Sequence, residues 1–353
     1  MPDAYLALET GDVVEATARA PGTARGELVF TTAYTGYEES LTDPSYEAQV
    51  LTFAYPLIGN YGVRPERTES DRVHPSAVVA RELTDDVADW LRDEGVPAVD
   101  GIDTRDLVLD IREGGAMQVG IAAGPDASPA EARAQLADCP HLSDLTDIGA
   151  RVSVDAPEVH GDGDTDVALV DCGAKQSIVD SLVDRGATVH QLPYDATPAD
   201  VDAIDPDVLF VSNGPGDPAN FGAAERLVDE YVGEVPIAGI CLGQQVVARA
   251  LGGDTEKMAF GHRGVNQPVL DHGSGRVVMT TQNHGYTVAD PGDLDVTQVN
   301  VNDDTPEGLD SEALDVLTRQ YHPEANPGPN DTLDFFDDVL AMAEARQTPV
   351  AAD

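Results

Sequence analysis

The stretch PIAGICLGQQVVARALGG (Pro236–Gly253) decides the fold reading. Its opening, Ile237 to Ile240, is a short unbroken apolar run, as expected of a strand buried on both faces. The continuation, LGQQVVARALGG, has helical spacing and closes at Gly252. A buried strand that turns at once into a helix is the repeating unit of a parallel α/β sheet.

The same unit recurs on the N-terminal side. DVALVD (Asp166–Asp171) reads as a buried strand, and the helix AKQSIVDSLVDRGA after it stops at Gly186. TVHQLP and DVLFVS read as strands, the second running into the tight turn NGPGDP, and AAERLVDEYVG reads as a helix. GRVVMTTQ, LDVTQVNVND and ALDVLTRQYHPE have few helices between them, so the sheet is expected to gain antiparallel additions. DAPEVHGDGDTD (Asp155–Asp166) is polar and Gly-rich with no apolar period, which reads as a linker. Before it the texture changes. GELVFTTAYTGYEES and YEAQVLTFAYPLIGNYG read as strands, and TDDVADWLRDEG and TRDLVLDIREGG as helices. The expected architecture is α/β. A smaller α+β domain occupies 1–154, a linker 155–166, and a domain with a mixed, mostly parallel sheet flanked by helices 167–353.

Charge narrows the partners. Sixty-five acids face twenty bases, a net charge of −45, and only Lys175 and Lys257 are lysines. Nucleic acids and anionic membranes need a basic footprint, so neither is an expected partner. The acids are spread along the chain rather than blocked into a tail. A surface this anionic repels itself unless salt screens it, and the Debye length falls from about 10 Å at 0.1 M to about 3 Å at 1 M. The expectation is a cytoplasmic protein of a high-salt cell, and full folding and activity below roughly 0.1 M salt would refute it. The opening MPDAYLALET shows no basic n-region or apolar h-region, so no export signal is expected. No apolar run approaches the roughly 18 residues of a membrane span. Cys139, Cys172 and Cys241 are odd in number and form no CxxC pair, which argues against a disulfide framework. Without an HExxH, a zinc-spaced cluster or a GxxxxGK[ST] loop, no metal or nucleotide cofactor is expected on this chain.

Cys241 sits at the strand–helix junction as Gly239-x-Cys241-x-Gly243. Two readings compete. Free cysteine is among the most buried residue types. The same small-x-nucleophile-x-small spacing also marks a nucleophile elbow, where glycine neighbours let the flanking backbone pack closely. The helix N-terminus then offers unpaired N–H groups and a positive dipole end, a setting that favours a thiolate nucleophile. Cys172 and Cys139 lack this context and read as structural. Among eight histidines, His74, His141, His160, His190 and His272 lie beside Pro, Gly or acids in expected loops. His262 and His284 have richer surroundings. His322, in RQYHPE, is the strongest base candidate: at a strand end, His322 and Glu324 would share a face, and a carboxylate beside an imidazole fixes its tautomer. The plain alternative is a surface His-Pro-Glu turn. An oxyanion could be held by the Leu242 N–H and by the turn SNGPGDP with Gly214 and Gly216, at the carboxyl edge of the sheet.

Together NGPGDP, GICLGQQ and YHPE resemble the class I (triad) glutamine amidotransferases. FTTAYTGYEESLTDPSYEAQVLTFAYPLIGNYG, GIDTRDL, DCGAKQSI, FGHRGVNQPV, TQNHGYTV and YHPEANPGP are similar to the small subunits of carbamoyl-phosphate synthases. The resemblance implies glutamine hydrolysis through a thioester on Cys241, with His322 as base and acid and Glu324 orienting it. It implies glutamine contacts at Ser45, Gly214, Gly216, Leu242, Gln245, Asn283, Gly285 and Tyr286. It also implies a large synthase subunit as partner, contacted by the N-terminal domain and carrying the ATP and divalent metal that make carbamoyl phosphate for arginine and pyrimidine synthesis. An amidotransferase for anthranilate or GMP synthesis, an independent thiol hydrolase and a non-catalytic regulatory scaffold are the alternatives. The family usually has His at the position of Gln244, and His and Gly at those of Arg263 and Val265.

Overall fold

A computed structural model describes residues 3–347 and divides the chain into two compact units. The first runs to Thr146 and takes in Ala259–Gly264; the second holds Asp147–Met258 and the chain from Val265. The stretch 155–166, expected as a linker, lies within the second unit. Its Glu158–His160 pairs antiparallel with Ala187–Pro193 as the outermost strand of the sheet. An edge strand needs no apolar face, which is why its polar sequence did not announce it.

The first unit contains a closed seven-stranded barrel. In spatial order its strands are Ala4–Leu8, Val13–Ala20, Ala98–Asp100, Ala77–Val79, Gln49–Phe53, Gly22–Thr31 and Met117–Ala123. The first and last close it in antiparallel register, Ala4 opposite Ala123. Alternate residues feed two cores, as a period of two requires. Leu28, Phe30, Val50 and Val79 join Leu107 and Ile111 of helix Thr104–Gly114. Val29, Leu51 and Val78 join Val87 and Leu91 of helix Asp85–Asp93. Each such buried side chain contributes about 1.5–3 kcal/mol. GYEES, expected as strand, is instead part of helix Tyr37–Thr42, entered through Gly36 at φ 77. All six residues of that helix are buried, so tertiary packing has overridden the β-type composition.

The second unit is built on a ten-stranded sheet with a parallel centre: Ala187–Pro193, Thr165–Asp171, Val208–Val211, Ile237–Ile240 and Val316–Arg319. Beyond Val316–Arg319 it continues through antiparallel Pro306–Ser311, Asp295–Asn300 and Asp254–Asp271 to Val277–Asp290 at the edge. Val167, Leu169 and Phe210 pack with helices Gln176–Val183 and Asp334–Gln347, while helices Gly222–Tyr231 and Leu242–Ala250 also pack on the parallel strands. Three parallel strands therefore end side by side, at Asp171, Val211 and Ile240, and their following loops meet. Among the described residues no helix is long and apolar enough to cross a membrane.

Candidate active site

Cys241 stands between strand Ile237–Ile240 and helix Leu242–Ala250 at φ 55, ψ −105. A β-carbon-bearing residue held there is strained by about 1–3 kcal/mol, and such strain persists only where the surroundings over-determine it. Both flanking glycines do so. A Cβ on Gly239 would lie 2.8 Å from the Gly243 carbonyl carbon, and one on Gly243 would lie 2.1 Å from Val211 O. The obstacles are backbone atoms, so only glycine lets strand and helix close to this distance. The Cys241 N–H donates to Arg319 O at 2.8 Å, and its thiol faces Asn283 O at 3.8 Å.

His322 and Glu324 lie past the end of strand Val316–Arg319. His322 makes an isolated antiparallel bridge with Thr281, and the chain then turns. They meet through that turn rather than through strand alternation: His322 Nδ1 is 2.6 Å from Glu324 Oε1. The other ring nitrogen, Nε2, is buried without a hydrogen-bond partner. Burial alone would lower the imidazole pKa. The Glu324 carboxylate outweighs it, the Cys241 side chain adds to the effect, and the pKa is pushed from 6.5 up to about 10. Burial would likewise raise Glu324, but the Lys175 ammonium and then His322 hold it at about 2, below the ordinary 4.5.

Lys175 was not singled out from the sequence as part of the site. It is almost fully buried, and its Nζ donates to Glu324 Oε1 at 3.1 Å and to the carbonyls of Ala325 and Asn326, each at 2.8 Å. Its N–H also donates to Asn213 Oδ1, which joins it to the turn beginning at Ser212. The only sequence signal was rarity, one of two lysines in the chain.

The remaining expected contacts fall into three groups. Leu242 follows Cys241 as the first helical residue, and Gly214 packs against it: a Cβ there would meet Leu242 Cδ2 at 2.8 Å and Cys172 O at 2.2 Å. Neither backbone N–H makes a hydrogen bond among the described residues, as an oxyanion hole requires. Gln245, Asn283 and Tyr286 are buried nearby, with Gln245 Nε2 donating to Tyr286 O at 2.8 Å, and Gly285 lies between the latter two on strand Val277–Asp290. Gly216, at φ 87, instead abuts Ile148, and Ser45 belongs to the first unit, buried in the short turn Pro44–Tyr46 with its N–H on Asp43 Oδ1.

The other candidates separate from the site. Burial pushes the Cys172 thiol well above its ordinary 9.0, and the Cys139 thiol is raised as well. His74 is not the solvated loop histidine expected; it is buried between Glu47 and Ser70. His160 and His190 bond Gln191 and Asp166. Both ring nitrogens of His284 face oxygens, Tyr286 O and Gln282 Oε1. Gln244 is fully buried with only its Oε1 engaged, by Thr318 Oγ1 at 3.3 Å. Arg263 is buried in the first unit with Nη1 3.5 Å from Gln49 Oε1.

Residues 168–342 match the family described as Glutamine amidotransferase class-I, and residues 6–121 match Carbamoyl-phosphate synthase small chain, CPSase domain. The chain is 87% identical to the carbamoyl phosphate synthase small chain of Halobacterium salinarum, over all of both chains. It is 44% identical to the protein of that name from Methanopyrus kandleri, covering 96% of this chain and 98% of the relative. For that of Archaeoglobus fulgidus the identity is 43%, with the same coverage.

Proposed function

The chain belongs to the carbamoyl phosphate synthase small chain family, and from that premise we propose how its own residues carry out glutamine hydrolysis. The carrying observation is the buried Cys241–His322–Glu324 constellation anchored by Lys175. Cys241 Sγ attacks the side-chain amide carbon of glutamine, and the oxyanion forms against the N–H groups of Leu242 and Gly214. His322 takes the Cys241 thiol proton, is held as the cation by Glu324, and passes that proton to the leaving nitrogen, so ammonia departs and a thioester remains. Now neutral, His322 takes a proton from water, which attacks the thioester and releases glutamate. Gln245, Asn283, Gly285, Tyr286 and Gly216, all in the second unit, hold the amino-acid end of the substrate.

The ammonia passes to the large synthase subunit, in a heterodimer or higher oligomer. That subunit holds the ATP and divalent metal and makes carbamoyl phosphate for arginine and pyrimidine synthesis in the cytoplasm. The match of residues 6–121 supports this partner over a GMP or anthranilate synthase. The intact triad supports catalysis over a scaffold role. The net charge of −45 and the Halobacterium relative support a high-salt setting. Cys241→Ser tests the reading. Glutamine-dependent carbamoyl phosphate synthesis by the complex should vanish while synthesis from free ammonia continues. Retained glutamine-dependent synthesis would remove Cys241 from the mechanism.

A further inference from the structure

Gln320 carries a buried polar group that the fold itself does not need. The residue is fully buried. Its Oε1 accepts from Gln245 Nε2 at 3.0 Å, but its own Nε2 has no hydrogen-bond partner. An orphaned buried donor is destabilising, and an apolar side chain of similar length would avoid it. What the residue supplies is its acceptor oxygen.

That oxygen is the second of two acceptors that hold the Gln245 amide. The Gln245 amide nitrogen donates to Tyr286 O at 2.8 Å as well as to Gln320 Oε1. A main-chain carbonyl can only accept, so the Tyr286 contact settles which end of the Gln245 amide faces inward. With both N–H groups used, Gln245 is left its carbonyl oxygen. This oxygen makes no hydrogen bond and is not among the sealed, unpartnered atoms. A carbonyl oxygen can receive a charge-assisted bond from an ammonium group and none from a carboxylate. We infer that Gln320 is a positioning residue for substrate selection: it pins the Gln245 amide with its oxygen outward, so that the site reads the α-ammonium of glutamine. The inference rests on the glutaminase reading above. With one of its two anchors gone, the amide can swing away from the substrate.

The test is Gln320→Met in the full chain, assayed in complex with its synthase subunit. KM for glutamine should rise about tenfold, the worth of one net hydrogen bond, with kcat within about twofold. The preference for glutamine over glutaramic acid, the same amide without the α-ammonium, should fall by a similar factor. Thermal stability should not drop, because the variant also removes an orphaned donor. A glutamine-shaped diazoketone should alkylate Cys241 more slowly, and iodoacetamide at the wild-type rate. Unchanged KM and preference would overturn the inference. So would equal slowing of both alkylators together with a lower Tm, the mark of a merely structural role. If the wild-type complex hydrolyses no glutamine, the glutaminase reading fails before any variant is made and takes this inference with it.

Discussion

Lys175→Met separates the buried ion pair from the rest of the site. The wild-type ammonium donates to Glu324 Oε1 at 3.1 Å and to two main-chain carbonyls at 2.8 Å, with side-chain exposures of 2% for Lys175 and 0% for Glu324. Removing one member of such a buried pair costs about 3–5 kcal/mol, because the other charge is left without compensation. For a domain of 150–250 residues each kcal/mol moves Tm by about 2–4 °C, so the variant should melt about 6–20 °C lower at pH 7. The sign of the pH dependence follows from Glu324, whose pKa is lowered from 4.5 to about 2 in the folded state, with Lys175 the strongest lowering influence. A lowered carboxylate stabilises fully above its unfolded value and loses that contribution as pH falls through the folded one. The Tm gap between wild type and variant should therefore be full above pH 4.5 and close as pH falls toward 2. Calorimetry in concentrated potassium chloride reads both quantities. A gap below about 2 °C at pH 7 is less than even 1 kcal/mol would produce. That result, or a gap that does not shrink on acidification, would refute the ion-pair account.

Two further outcomes follow from the same geometry. Gly243→Ala places a Cβ 2.1 Å from Val211 O, and overpacking costs about 1–3 kcal/mol or more, so glutaminase activity and Tm should both fall. Gly252→Ala is the control: its Cβ meets nothing within 4 Å and suffers only the positive φ of 84, so activity should survive, and equal losses in the two variants would contradict the elbow argument. In His322→Gln, the Tm gap to wild type should be largest below pH 6.5 and shrink as pH rises toward 10, because a raised histidine stabilises fully below its unfolded pKa and loses that as pH passes the folded one. A gap that widens with pH in melting curves would count against the charged imidazole.

What the sequence disclosed follows from how local each cause is. The elbow was legible because its glycines are demanded by backbone contacts four residues apart, Gly239 on Gly243. The His322–Glu324 pair was legible from spacing, although a turn and not a strand brings the two together. The parallel centre showed itself as short apolar runs alternating with helical ones. Lys175 escaped because its partner lies 149 positions away and one side chain has no period. The barrel escaped for the same reason: its closure pairs Ala4 with Ala123, and no local pattern encodes that register. Strand Asp254–Asp271 escaped because DTEKMAFGHRGVNQPVLD has charges and no sustained alternation.

The triad residues and their supports are joined in one closed circuit of contacts. The Cys241 N–H is bonded to Arg319 O, and three residues later the chain reaches His322. The His322 N–H is bonded to Thr281 O, and two residues along that strand Asn283 O faces the Cys241 thiol. Cys241 and His322 are thus fixed to each other twice, once through the parallel strand Val316–Arg319 and once through Val277–Asp290 at the sheet's far edge. Two independent attachments are what a strained backbone at Cys241 needs in order to persist. It follows that the antiparallel extension belongs to the proposed catalytic apparatus. A parallel centre alone would present Cys241 at its edge, but Thr281, Asn283 and Tyr286, which bond or face His322, Cys241 and Gln245, all come from the extension's last strand.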